Sequence, residues 1–301
     1  MTQLTIALDW TPNINHIGFF VAQELGYYQH HDLAVQIIDP SMDGYQSTPA
    51  KNVETGLAHL ALAPMESVIS YRTKSTPFDL IAVAALLQED LSAIVVRDDA
   101  GIQSPKDLDG RTYASYKARY EDEIVRQMIQ NDGGKGEIHI EYPQKLGIWN
   151  TILKGQSDAT WIFMNWEGVE AMAENVPLRY FKMSDYHVPY SYSTVVVAEE
   201  KAIQNHKEAY TSFLSATREG YMHSRQHPEE SIHVLKKYVP EHDQHIDLRM
   251  ALNLSAPAFG TPGTWGHMKE ENVQTFLDWL YKRQIETQAL KLGELISHHL
   301  L

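Results

Sequence analysis

Along the chain, short apolar runs alternate with longer stretches whose apolar positions recur every three or four residues. The runs at 4–8, 34–38, 60–63, 81–87, 92–96, 112–115, 138–142, 159–163, 178–182 and 194–198 predict β-strands. Helical spacing appears at 17–25, 49–56, 66–73, 121–131, 147–155, 166–174, 206–225 and 228–238. Beyond residue 198 the chain reads as nearly all helical, closing with 269–282 and 290–299. Asp132-Gly133-Gly134 breaks the 121–131 helix, and Pro105 to Gly110 reads as a short turn into the next strand. Strands alternating with helices predict an α/β architecture.

The strand-to-helix turns carry the candidate chemistry, because in open α/β sheets ligands bind at the carboxyl ends of the strands. The first turn is Leu8-Asp9-Trp10-Thr11-Pro12-Asn13-Ile14-Asn15-His16. Trp10 offers a flat face for stacking on a planar heterocycle. Asn13 can donate and accept, and His16 either meets the ligand or caps the following helix. In Ala63-Pro64-Met65-Glu66-Ser67 the Glu66 carboxylate can accept from an exocyclic amine or simply stabilise its own helix start, with Ser67 beside it.

Tyr116, Arg119 and Tyr120 stand in the turn after 112–115, where an aromatic or anionic group could be received. Arg119 has a plainer alternative, pairing with Glu121 or Asp122 on the surface. At the exit of 159–163, Asn165, Trp166 and Glu167 are candidate contacts, whereas Trp161 within the strand reads as core. Tyr190 and Tyr192 precede the last strand and form either a binding wall or packing.

Composition narrows the class. A formal net charge of −14 disfavours nucleic acid and anionic membrane surfaces as partners. The chain has no cysteine, which excludes disulfides, thiolate catalysis and cysteine-ligated metals. Its 15 histidines fall in no metal-binding motif, so no metal is expected. No apolar stretch is long enough to span a bilayer. Met1 leads straight into the first strand with no visible leader. The expectation is therefore cytoplasmic if Met1 is native, and periplasmic if Met1 replaced a removed leader.

Four segments, taken in order, resemble the ThiY-like, SsuA-like substrate-binding proteins, which carry thiamine-precursor pyrimidines, and the first of them also resembles the fungal enzyme that makes the same pyrimidine. They are the opening run, Ile102 to Gly110, Val188-Pro189-Tyr190-Ser191-Tyr192 with the following strand, and Phe259-Gly260 through Trp265. The resemblance covers essentially the whole chain. It implies the type II periplasmic-binding-protein fold, with two lobes and a hinged central cleft. Lobe 1 would be discontinuous, 1–91 plus 197–301, and lobe 2 would be 92–196.

The resemblance further implies a non-catalytic binding protein that needs no cofactor and works with an ABC permease. The favoured ligand is an aminopyrimidine. Sulfonate sites want several donors and no nearby carboxylate, whereas this chain offers Glu66, Glu167 and several aromatics. A sulfonate binder remains an alternative, as does a pyrimidine synthase. In that enzyme a lysine holding pyridoxal phosphate and a reacting histidine lie after the third strand. Here Leu60 to Val68 contains neither. Ser193 stands where some ThiY-like proteins carry a carboxylate.

Overall fold

The computed structural model describes residues 1–301 and every side chain except that of Leu146. The chain divides into two compact units, one formed by Met1–Asp90, Tyr192–Val273 and Gln288–Leu301, the other by Leu91–Ser191 and Gln274–Thr287. Segment 274–287 thus belongs to the second unit, whereas the sequence reading assigns everything after 196 to the first lobe. Its apolar residues explain the placement: Phe276 and Leu280 are fully buried, and Phe276 meets the Tyr190 ring edge-on at 5.6 Å.

The first unit is built on a five-stranded sheet. Its strands are β1 (Thr2–Ala7), β2 (Leu33–Ile38), β3 (Leu60–Ala63), β4 (Leu80–Ala85) and β10 (Val195–Glu199), in the order β2-β1-β3-β10-β4. β1 runs parallel to β2 and β3, with Ile6 beside both Ile37 and Leu60. β10 is antiparallel to β3 and β4. Every residue of β3 and β4 is buried, as expected of uninterrupted apolar runs covered on both faces.

Helices α1 (Ile17–Glu24) and α9 (Lys207–Gln226) cross in this unit at unusually close range. A Cβ added to Gly220 would lie 2.0 Å from the Gly18 carbonyl oxygen, and one on Gly18 would lie 2.1 Å from the Tyr221 ring. Both positions therefore require glycine for packing. Around this crossing Tyr28 stacks on Phe213 at 5.5 Å, and the Tyr28 hydroxyl is paired with that of Thr217.

The second unit contains β5 (Ser92–Arg97), β6 (Thr112–Ala114), β7 (His139–Glu141), β8 (Ala159–Phe163) and β9 (Leu178–Phe181), ordered β7-β6-β8-β5-β9. β6 is parallel to β7 and β8, and β5 is antiparallel to β8 and β9. Ala93, Val95 and Ile162 form a dry cluster with Trp149, Met164 and Leu178 packed on it.

Local differences from the sequence expectation lie at element ends. The run at 81–87 becomes strand only to Ala85, after which Leu86 N–H bonds to the Thr194 carbonyl. The helix expected at 206–225 is preceded by a separate helix, Glu200–Asn205. No helix spans 290–299: only Leu292–Leu295 is helical, and Ile296 then bridges Ala82 in parallel. Ile296 gains burial beside the sheet, which a continued helix would not allow it together with that bridge. No helix among the described residues is long and apolar enough to cross a membrane.

Candidate functional site

In the first unit, the carboxyl ends of β1 and β3 and the start of antiparallel β10 lie on one edge of the sheet. The opening loop is organised there around Asp9. His16 is fully buried, with Nε2 2.7 Å from Asp9 Oδ1, and the Thr194 hydroxyl donates to Asp9 Oδ2 at 2.7 Å. Asn13 N–H donates to His16 Nδ1 at 3.2 Å, so Nδ1 is the acceptor and Nε2–H points at Asp9. Burial pushes the Asp9 carboxyl up, but the hydrogen bonds from His16 and the Thr194 hydroxyl pull it below the usual aspartate range. Asp9 is therefore an anion at neutral pH.

This geometry gives two of the candidates local roles, and for His16 it is the capping alternative. Asn13 holds the loop: its Oδ1 accepts from Asn15 N–H at 2.9 Å and its Nδ2 donates to the Thr11 carbonyl at 3.1 Å. With those bonds Asn13 fixes the turn. His16 likewise has both ring nitrogens committed, one to the loop backbone and one to Asp9, and acts as the brace of the opening turn.

Trp10 is half-buried, with its ring centroid 5.2 Å from that of Tyr45 at a 58° tilt. Glu66 is 5% exposed and occupies the first turn of α4 (Met65–Thr73), where the helix N-terminus favours its charge. Ser67 is half-buried beside it. The turn is tied to β10 by Met65 N–H donating to the Tyr192 carbonyl at 2.9 Å. Tyr192 itself is buried, and its hydroxyl accepts from Lys269 N–H at 2.7 Å. That bond fits the packing alternative for Tyr192. The first-unit candidates thus gather at one sheet edge, though several are supports there.

The second unit repeats the plan at the carboxyl ends of β6 and β8. Glu121, the first residue of α5 (Glu121–Asn131), is 2% exposed and folds the preceding loop around itself. Its Oε1 accepts from the Tyr113 hydroxyl at 2.8 Å and Tyr116 N–H at 3.0 Å, and its Oε2 accepts from Ala118 N–H at 3.2 Å. Burial raises the Glu121 carboxyl despite these bonds.

Arg119 reaches Glu286, a carboxylate far away in the sequence. Its Nη2 lies 3.1 Å from Glu286 Oε2, the same oxygen that accepts from the buried Tyr120 hydroxyl at 2.7 Å. Tyr120 is 1% exposed, so it anchors the loop and offers no open ring face. Tyr116 is half-buried in that loop.

At the end of β8 the two tryptophans exchange the environments expected of them. Trp166 is buried, while Trp161 is the half-buried one and meets Tyr190 edge-on at 4.9 Å. The chain turns inward immediately after Phe163, which carries Asn165 and Trp166 into the core. Glu167 Oε2 accepts from Phe163 N–H at 3.0 Å and so closes that turn. Asp9, Thr194, Tyr45 and Glu286 were absent from the expected set. Asp9 has a local signal beside Trp10; Glu286, 166 residues from Tyr120, has none.

The profile of the family described as NMT1/THI5 like matches residues 13–231. The chain is 26% identical over 282 residues to the formylaminopyrimidine-binding protein of Halalkalibacterium halodurans, covering 91% of this chain and 83% of that protein. It is 23% identical over 243 residues to a 4-amino-5-hydroxymethyl-2-methylpyrimidine phosphate synthase of Legionella pneumophila, covering 80% and 75%. Among solved structures, the alkanesulfonate-binding protein SsuA of Xanthomonas axonopodis pv. citri superposes with a TM-score of 0.73 at 12% identity, covering 99% of this chain and 98% of that one. The nitrate-binding protein NrtA of Synechocystis PCC 6803 gives 0.74 at 9% identity, covering 100% and 87%. These likenesses establish the α/β periplasmic-binding-protein fold. With a profile match over most of its length, the chain belongs to the NMT1/THI5-like family.

Proposed function

We propose that this protein is a non-catalytic binding protein for an aminopyrimidine precursor of thiamine, delivering it to an ABC permease outside the cytoplasm. The observation that carries the reading is the first-unit edge, where the half-exposed Trp10 ring shares a sheet edge with the Glu66 carboxylate and an ionised Asp9. A flat ring bearing an amine suits an aromatic face beside an acceptor carboxylate. A sulfonate or nitrate would meet two carboxylates there, those of Glu66 and Asp9. The likeness to a protein named for formylaminopyrimidine binding supports the same ligand class.

A catalytic reading has support from the relatives named as synthases. It is disfavoured by the Leu60 to Val68 passage, which offers no lysine for a Schiff base with pyridoxal phosphate. An adduct trapped by borohydride on a lysine of either unit would overturn the binder reading on that point.

Calorimetric titration of the parent and of Glu66→Gln tests the ligand assignment. The probes are 4-amino-5-hydroxymethyl-2-methylpyrimidine and ethanesulfonate. A charge-assisted hydrogen bond contributes about 1.5–3 kcal/mol, so Glu66→Gln should weaken pyrimidine binding by roughly tenfold or more. Tighter ethanesulfonate binding by Glu66→Gln, with neither protein taking a pyrimidine, would sink the assignment.

A further inference from the structure

The second unit carries a groove of about 550 Å³ between segment 184–189 and the last turns of α12 (Glu270–Lys282). That volume falls within the roughly 300–1,000 Å³ of small-molecule sites. Val188 and Pro189 form an apolar wall, and Asp278, Trp279, Lys282 and Arg283 face them from the helix and its extension. Asp278 and Lys282, like Trp279 and Arg283, are four residues apart, so the four share one face. All of these residues lie outside the loops that follow β6 and β8.

Trp279 is 7% exposed, and its ring is packed. Phe276 stacks with it at 6.1 Å between centroids and 16° between planes, and the Arg283 guanidinium carbon lies 4.7 Å over its centroid. Its indole nitrogen, in contrast, is shielded from solvent with no hydrogen-bond partner among the described residues. Buried donors are almost always satisfied, so the exception calls for a reason. Trp149 and Trp265 bury the same kind of orphan, so the nitrogen by itself would assign nothing. At Trp279 it belongs to a residue that lines a groove, with a cation held against the same ring.

The helix end of the groove is cationic through Lys282 and Arg283. Asp278 is the one carboxylate among the lining residues, and its Oδ1 accepts from Gln274 Nε2 at 2.8 Å. Arg283 Nε donates to Gln127 Oε1, which fixes the guanidinium. The Nη1 and Nη2 edge of such a group matches the two oxygens of a carboxylate or phosphate. Open carbonyls at a helix end would repel an anion. Here those of Trp279, Leu280 and Tyr281 accept from the N–H groups of Arg283, Ile285 and Gln284 at 3.3, 3.0 and 2.9 Å.

We propose that this groove is a further ligand site, taking a small organic anion that carries an oxyanion group on a short aliphatic body. The oxyanion lies at Lys282 and Arg283, and the body lies against Val188, Pro189 and Trp279. Indole, guanidinium and ammonium groups only donate, so the ligand must supply acceptors. A bare inorganic ion would leave the apolar wall facing water, which an aliphatic body covers. In a chain of formal net charge −14, an anion is drawn only where cations are grouped locally. The site goes beyond the pyrimidine assignment and does not depend on it.

The test follows the Trp279 indole resonance of the full chain, assigned in the parent by triple-resonance spectra. The probes are hexanoate, hexyl phosphate and hexylammonium, added at constant ionic strength because general screening also moves exposed cations. At least one of the two oxyanions should shift the resonance to saturation, the stronger binder showing whether carboxylate or phosphate is preferred. Hexylammonium should not shift it. Arg283→Gln and Lys282→Gln should each weaken the preferred oxyanion by roughly tenfold. No saturable shift with either oxyanion overturns the site. An equal response to hexylammonium overturns it too, because the groove would then be merely apolar. Folded variants that bind as the parent does overturn the anion end, and if Arg283→Gln fails to fold, the exposed Lys282→Gln decides.

Discussion

Removing the Asp9 carboxylate should loosen the opening turn by an amount that can be worked from its two bonds. Asp9 accepts from His16 Nε2 and from the Thr194 hydroxyl, each at 2.7 Å, and both partners are buried. A hydrogen bond to a charged group contributes about 1.5–3 kcal/mol, so Asp9→Ala should lose about 3–6 kcal/mol. Asp9→Asn retains one acceptor oxygen, and the Thr194 hydroxyl can rotate to accept from the amide. Its loss should be about 1–3 kcal/mol.

The pH dependence follows from the lowered Asp9 carboxyl. A carboxylate whose folded pKa is depressed stabilises fully above its unfolded value, here the ordinary 3.8, and loses that contribution as pH falls through the folded pKa. The deficit of Asp9→Asn should therefore be full at about pH 7 and shrink at about pH 3, where the parent forfeits the same interaction. Urea unfolding followed by circular dichroism at both pH values measures it. An Asp9→Ala protein within about 0.5 kcal/mol of the parent at neutral pH would refute the bracing role. A deficit that does not change with pH would refute the ionised state assigned to Asp9.

Gly220→Ala should destabilise by about 1–3 kcal/mol or more, since its methyl would collide with the Gly18 carbonyl at 2.0 Å; an unchanged melting temperature would mean that α1 and α9 can separate freely. Trp10→Ala should weaken pyrimidine binding by about 1–3 kcal/mol with little change in ligand-free stability, and unfolding without loss of affinity in the folded fraction would make Trp10 a core residue. Glu286→Ala should cost about 1–3 kcal/mol through the buried Tyr120 hydroxyl, the partly exposed Arg119 adding little. A double-mutant cycle with Tyr120→Phe should then show coupling, and strict additivity would deny that the bond matters.

The positions of all ten strands could be read from the chain, because most coincide with apolar or alternating runs bounded by turn residues, and that signal is local. The loops at the strand ends were legible for the same reason. What those loops' side chains do was decided by tertiary structure. Asn13 and His16 have the residue types of ligand contacts, yet the fold of their own loop engages their polar atoms. Trp161 and Trp166 differ in burial because the chain turns inward after Phe163, and burial depends on what packs from elsewhere. Glu286 reaches Arg119 and Tyr120 across more than half the chain, and segment 274–287 joins the second unit through Phe276 and Leu280. Strand and helix are chosen by the spacing of neighbours along the sequence. A side chain's partners are chosen by distance in space, which no local pattern encodes.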